Sequence, residues 1–143
     1  MTWDLVLQIL GSSVLAAFIA FGLELGRSYS KEISEHNKNI LSIYKELKTL
    51  RDNLEDEDLR RNVDIWNMEV LLPTANINNL LPRIAGNISS ETLAYLQQIR
   101  QNLYDKKRIL SVRSYLDEIL EQVNFALEEL RKETKGIRKP KLK

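Results

Sequence analysis

The chain has 143 residues, no cysteine and one histidine, and its formal net charge at pH 7 is +1. Without cysteine it has neither a disulfide framework nor thiolate metal sites, and one histidine excludes multi-histidine metal sites and most acid–base dyads. Beyond an anchor segment, the length leaves room for one small domain.

Residues 5–23, LVLQILGSSVLAAFIAFGL, carry no charge and lie between Asp4 and Glu24. As a helix they would measure about 28 Å, close to the roughly 30 Å hydrocarbon thickness of a bilayer. A helix of a soluble domain would carry a polar face, and a signal peptide would carry a basic residue before the apolar run. The stretch therefore predicts a transmembrane helix over residues 1–26.

The basic residues near this segment lie on its C-terminal side. Arg27, Lys31 and Lys38 follow the apolar run, whereas Asp4 precedes it. Cytoplasmic flanks of membrane spans are enriched in lysine and arginine. The pattern therefore predicts a single-pass protein with its N-terminus outside and its C-terminal domain in the cytoplasm.

Small and polar residues recur along one face of the predicted span. Ser12, Ala16 and Ala20 are four positions apart, a spacing that lets two helices approach closely in lipid. This face predicts a homo-oligomer, although such residues are also common in spans that only anchor. The candidate oligomerisation or pore-lining residues are Gln8, Ser12, Ala16, Ala20, Gly22, Gly26, Ile33, His36 and Ile40.

A heptad repeat continues this face after the span. One position holds Ile33, Ile40, Leu47 and Leu54, and the position three residues later holds His36, Ile43 and Leu50. Such a repeat is typical of a coiled-coil seam. His36 on this seam could be a pH-sensitive group at an oligomer axis, but the favoured interpretation is a polar residue that sets the register or a semi-exposed side chain.

The rest of the chain predicts an all-α fold, in which the N-terminal transmembrane helix continues into a small cytosolic up-down bundle of the four-helix type, residues 27–136. One helix follows the acidic run 55–58, with Asp56 as its cap, and ends at Pro73. The next begins at Ser89 or Ser90 and ends at residues 106–108, and whether residues 90–134 form one helix or two stays open. Trp66, Leu116, Ile119 and Val123 are predicted to be buried.

Residues 73–89 are rich in proline, asparagine and glycine. They predict the longest irregular stretch of the chain, with a short helical turn from Ala75 to Leu81 that ends before Pro82. Because long ordered loops often carry function, this stretch is of interest.

The C-terminal residues are strongly basic. Residues 131–143 hold seven basic residues against Glu133 alone, and residues 137–143 form a predicted tail. Its basic residues predict binding to anionic lipid or an anionic partner, with a purely solubilising end as the alternative. Nucleic acid is not favoured, because no aromatic residues interleave with the basic ones. The candidate residues are Arg138, Lys139, Lys141 and Lys143.

No glycine-rich phosphate loop is present, and the lone histidine lacks a catalytic partner, so neither an enzyme nor a cofactor nor a metal site is expected. Two functions remain. The first is a homo-oligomeric membrane protein whose bundle is an interaction or scaffold module for an unidentified cytosolic protein or signal. The alternative is an oligomeric pore-forming or membrane-perturbing effector, for example in bacterial defence, gated by the bundle. The first is favoured because so few polar residues in the span make a weak channel lining.

Overall fold

The computed structural model describes residues 3–136 and 142, with side chains described from residue 16 onward. This part of the chain is helical and contains no strand. The helices are α1 (Trp3–Glu55), α2 (Glu57–Arg61), α3 (Met68–Leu71), α4 (Ala75–Ile84), α5 (Ser90–Tyr104), α6 (Lys106–Ser111) and α7 (Arg113–Arg131), with a 3₁₀ turn at Ala85–Asn87 after α4. The predictions of an all-α chain and a helical bundle are confirmed.

The chain divides into two compact units, Met1–Glu35 and His36–Lys143, and α1 contributes residues to both. In the first unit, the side chains from Ala16 to Glu32 are exposed. No helix within the described residues combines the length and the apolarity that crossing a membrane requires. Residues 5–15 of the predicted span lie outside the residues whose side chains are described, so the transmembrane assignment stays a prediction.

The core of the second unit is built from heptad positions of α1 and α7. The α1 residues Ile40, Ile43, Leu47, Leu50 and Leu54 are buried at the seam that the repeat predicted. The same buried cluster contains residues of α7, namely Leu116, Ile119, Val123, Ala126, Leu127 and Leu130, and residues of α4 and α5, including Ile77, Leu81, Leu96 and Ile99. The predicted burial of Leu116, Ile119 and Val123 is confirmed. The seam of α1 is therefore covered by other helices of the same chain.

Polar contacts show that α1 and α7 run in opposite directions. At one end, His36 Nε2 lies 2.9 Å from the carbonyl oxygen of Glu133, which follows α7. At the other end, Arg60, which follows α1, pairs with Asp117 in the first turns of α7 at 2.6 Å. Within the second unit, the first residues of α1 thus lie beside the end of α7, and the residues that follow α1 lie beside the start of α7.

The direction of α5 follows in the same way. The hydroxyl of Tyr115, at the start of α7, donates to the carbonyl of Asn102 near the end of α5 at 2.9 Å. At the other end, the hydroxyl of Thr92 donates to the Glu133 carboxylate at 2.7 Å. Helices α5 and α7 are therefore antiparallel, and the hydrogen bonds place α5 parallel to α1 within the second unit.

A buried carboxylate fixes the start of α4 against α1. Thr74, the N-cap residue of α4, makes no side-chain capping bond. Instead, Glu46 of α1 accepts hydrogen bonds from the backbone amides of Asn76 at 2.8 Å and Ile77 at 3.0 Å. The first amides of a helix have no partner within it, and a carboxylate there is also favoured by the helix dipole. Glu46 thus supplies the cap that Thr74 does not.

The prediction that residues 73–89 are mostly irregular is wrong. Helix α4 runs from Ala75 to Ile84 and includes Pro82 in its interior. Proline there removes one backbone hydrogen bond, which ordinarily ends a helix. Here Ile77, Leu81 and Ile84 lie on one buried face, and their burial offsets the lost bond.

The predicted single helix over residues 57–72 is interrupted between α2 and α3. The side chain of Asp64 accepts from the amides of Trp66 at 2.8 Å and Asn67 at 3.0 Å. In return, Asn67 accepts from the Asp64 amide at 2.8 Å and donates to the Asn62 carbonyl at 2.7 Å. These bonds compete with those of a helix and form a local turn instead. Trp66 on this turn is 90% exposed, so the prediction that it is buried is wrong.

Residues 90–131 form three helices, more than the one or two that the sequence left open. Helix α5 ends at Tyr104, before the predicted end at residues 106–108. Asp105 then accepts from the amide of Arg108 at 3.2 Å and starts α6. The Asp105 carboxylate thus caps a new helix at the position where the basic residues 106–108 predict the end of one.

Two predicted caps are confirmed. Asp56 accepts from two backbone amides of α2, and Ser89 accepts from an amide of α5. Helix α7 lacks such a cap, because its N-cap residue is Val112, which makes no side-chain capping bond.

Replacing Glu46 with alanine should lower the free energy of unfolding by about 2–3 kcal/mol, because two amides lose a charged acceptor. Glu46→Gln should recover part of this loss, since its amide oxygen can accept one of the two bonds. Urea unfolding of the full chain in detergent, followed by circular dichroism, measures both. The control Glu121→Ala, at an exposed carboxylate of α7, should stay near the wild type. Equal values for Glu46→Ala and this control would contradict the capping role.

Candidate docking groove

An open groove of about 850 Å³ lies on the second unit. One side is formed by α3 and the start of α4, and the other by the C-terminal half of α5 with the first residue of α6. Its apolar lining includes the buried side chains of Met68, Leu72 and Leu103, together with Pro73. The volume is in the range of ligand sites, but the groove is open to solvent rather than enclosed.

The α5 side of the groove presents one helical stripe. Gln97, Arg100, Gln101 and Tyr104 line the groove and are spaced at i, i+3, i+4 and i+7, so they share one face of the helix. All four are exposed, and Tyr104 is 87% exposed. The stripe therefore offers two amides, a guanidinium and a phenol that the bundle itself leaves uncovered.

The groove carries a small excess of positive charge. Among the described residues, Arg100 makes no ion pair. Lys106 Nζ lies 3.9 Å from Glu69 across the groove, and both side chains are largely exposed, so this pair contributes little. The lining thus holds two cations and one anion, and the Arg100 guanidinium has no ion-pair partner within the part of the chain that the structure describes.

Exposed apolar side chains lie beside this groove in the chain. Trp66 and Val70, at 90% and 76% exposure, flank the lining residues Met68 and Glu69, and Ile65 is also exposed. Tryptophan, tyrosine and arginine are the residue types that dominate binding energy at protein interfaces. Since the turn hydrogen bonds made by Asp64 hold the backbone at Trp66, the indole is displayed from an ordered segment.

These groove residues were not among the sequence candidates. Trp66 was assigned to the core, although the asparagine and aspartate residues around it signal a turn. Arg100 and Tyr104 belong to a polar stripe, which in sequence is typical of a solvated helix face. Their proximity to α3 depends on how the helices pack, which no local pattern contains.

The predicted oligomerisation residues fall into separate groups. Gln8 and Ser12 lie outside the residues whose side chains are described. Ala16, Ala20, Gly22 and Gly26 are exposed, and a Cβ added at either glycine would meet no atom within 4 Å. Ile33 is partly buried, whereas His36 and Ile40 are buried.

The basic tail residues Arg138, Lys139, Lys141 and Lys143 lie outside the described residues. The segment that leads to them is attached to α1 by two hydrogen bonds. Asn37 Nδ2 donates to the carbonyl of Lys135, and the Lys135 amide donates to Asn37 Oδ1, both at 2.8 Å. Beyond this segment, Leu142 is partly buried against the core.

Glu133 is the centre of a polar cluster next to this attachment. Its carboxylate accepts from the Ser89 amide at 3.1 Å and from the Thr92 hydroxyl at 2.7 Å. Burial alone would raise the pKa of Glu133, but these hydrogen bonds to the ionised form outweigh it, with a smaller contribution from His36, and lower the pKa below its ordinary value. His36 thus bonds within the bundle, as a polar residue that sets the register would.

No protein-family model, no curated protein and no solved structure matches this chain. The candidate site therefore stands on its geometry.

Ile119→Ala and Trp66→Ala should differ sharply in their effect on stability. Removing buried atoms at Ile119 should cost about 2–5 kcal/mol of unfolding free energy. Trp66→Ala should change it by no more than about 0.5 kcal/mol, because the indole is in solvent. Urea unfolding of both variants measures the contrast. A large loss for Trp66→Ala would mean that the indole is a structural residue and would remove it from the docking surface.

The stability of the bundle should depend on the ionisation of Glu133. A carboxyl whose folded-state pKa is lowered stabilises the fold above its unfolded pKa, and this contribution is lost as the pH falls through the folded value. The wild type should therefore lose stability below about pH 4.5, and Glu133→Gln should lose less over the same range. Unfolding free energies measured from pH 6 to about pH 3 test this, with Glu128→Gln, at an exposed carboxylate of α7, as the control. Parallel acid profiles for the wild type and Glu133→Gln would contradict the assignment.

Proposed function

We propose that the protein is a single-span membrane protein whose cytosolic helical bundle is an interaction module that binds another protein. The observation that carries this proposal is the open groove, whose lining residues Arg100 and Tyr104 are exposed. Trp66, two residues before the lining residue Met68, is 90% exposed. Contiguous exposed apolar patches mark interaction sites, and Ile65, Trp66 and Val70 are exposed within one short segment of the chain.

The chemistry of the groove supports binding. Its polar groups are amides, a guanidinium and a phenol, arranged along one face of α5 over an apolar floor. Such a combination offers hydrogen bonds at the sides and apolar contact at the base, as protein interfaces do. The polar side chains would orient a bound partner through hydrogen bonds, and the aromatic side chains would supply buried contact area.

The sequence and the helix bounds support the membrane anchor. The uncharged residues 5–23 belong to α1, which is continuous from Trp3. In the described part of the first unit, large apolar side chains are exposed, as expected of a helix that lipid would cover. They are Phe18, Ile19, Phe21, Leu23 and Leu25. With Arg27 and Lys31 following the run, the bundle would be cytoplasmic.

Self-association belongs to the proposal, through the small residues of the first unit. Since Ile40 and Leu47 are buried in the core of the second unit, they are committed to the bundle. Ala16, Ala20, Gly22 and Gly26 are exposed, and close contact between small residues is what joins helices in lipid. The basic tail would add attraction to an anionic membrane surface.

A photo-crosslinking amino acid at position 66 tests this function in membranes of cells that naturally make the protein. We expect an adduct with a discrete cytosolic protein from position 66 and none from position 83 on α4, where an exposed arginine lies away from the groove. The captured protein, once purified, should bind the full chain, and Trp66→Ala should weaken that binding at least tenfold.

Two results would contradict the proposal. One is the absence of a position-specific adduct from a folded, membrane-bound chain. The other is ion leakage from liposomes that contain only the full chain, if the Gln8→Leu variant abolishes the leakage. That result would favour the pore-forming alternative.

A further inference from the structure

We propose that the groove binds an acidic amphipathic helix, a helical segment of the partner protein with apolar residues on one face and carboxylates beside them. This inference rests on the proposed function and names the partner's chemistry. Arg100 would receive a carboxylate, and Trp66 and Tyr104 would contact the apolar face.

The shape of the α5 side favours a helix as the bound element. The stripe from Gln97 to Tyr104 extends about 10 Å along α5, which is two helical turns. A helix lying beside it would meet the stripe with residues at i, i+3 or i+4, and i+7, the spacing by which amphipathic helices bind grooves. A peptide that binds by β-strand addition would instead need a strand edge, and the described residues contain no strand.

The apolar surface favours an occupant with large apolar side chains. Met68, Leu72 and Leu103 form a floor that is already packed, so a bound segment would contact them without penetrating the core. Tyr104 lines the groove and is 87% exposed, and Trp66, two residues before the lining residue Met68, is 90% exposed. On binding, both would lose solvent contact to the apolar face of the bound helix. Burying such aromatic surface is the main source of affinity at interfaces of this kind.

The positive charge of the groove favours a partner helix that carries negative charge. Arg100 has no carboxylate partner among the described residues, and the amides of Gln97 and Gln101 lie on either side of it on the same face. A carboxylate placed here could accept hydrogen bonds from the guanidinium and from an amide. Because Glu69 and Lys106 are only weakly paired, an incoming carboxylate could also replace Glu69 at Lys106. A basic helix would meet two cations instead.

Two synthetic peptides of about 20 residues test this inference. Both are amphipathic helices with leucine and phenylalanine on one face. At the positions beside that face, the acidic peptide carries glutamate and the basic peptide carries lysine. Fluorescence anisotropy of labelled peptides is measured with the full chain in neutral detergent. We expect the acidic peptide to bind at least tenfold more tightly than the basic one, and Trp66→Ala to weaken the acidic peptide.

Charge reversal makes the test specific. Arg100→Glu should weaken the acidic peptide at least tenfold and should improve binding of the basic peptide, because the sign of the central charge is inverted. Arg83→Glu, an equal charge change on α4 outside the groove, should leave both peptides unchanged. Circular dichroism of both variants confirms that the bundle is folded.

The inference is overturned if the basic peptide binds as tightly as the acidic one, or if Arg100→Glu leaves the acidic peptide unaffected. It is also overturned if neither peptide binds. These results leave the proposed function standing when position 66 still crosslinks to a specific protein. Conversely, a missing adduct at position 66 contradicts the proposed function whatever the peptides do.

Discussion

The carboxylate of Glu46 on α1 holds the start of α4 in place within the second unit. It is buried on α1 and accepts both amides at the start of α4, which has no capping bond of its own. Since Thr74, Ala75 and Asn78 at this end of α4 line the groove, the same two hydrogen bonds set the position of one groove wall. A charged group buried at a helix terminus is costly unless it is fully bonded, so this wall has a defined place.

The apolar arc of α1 imposes a second constraint. A helix can bury one face, and in the second unit that face is covered by the chain's own helices, including α7. It follows that a second copy of the chain competes with α7 for Ile40 or Leu47 and would have to unfold the bundle to reach them. Folding therefore uses the branched aliphatic residues of α1 in the second unit, whereas the proposed association would use the small residues of the first unit.

The sequence predicted the helices whose buried residues repeat with the helical period. It missed the places where side-chain hydrogen bonds or tertiary packing override that pattern. The heptads of α1 and α7 located the core because a buried stripe repeats with the helix. Trp66 was misplaced because its apolar spacing was read without the turn bonds of Asp64 and Asn67, which break that helix. Pro82 was read as a stop because the burial of α4 is a tertiary effect. The groove depends wholly on packing, so no local signal could reveal it.

The pairing of α1 with α7 also bears on how the chain is made. Helix α1 is synthesised first, and α2 through α6 must all be produced before α7 can cover its stripe. At about 5–20 residues per second this leaves a delay of several seconds on the ribosome. During that delay α4 and α5 are the only other long helices of the unit that can shelter the side chains from Ile40 to Leu54. A nascent chain at this stage still exposes the part of this isoleucine and leucine stripe that α7 covers in the folded bundle, and chaperones bind apolar surface of this kind.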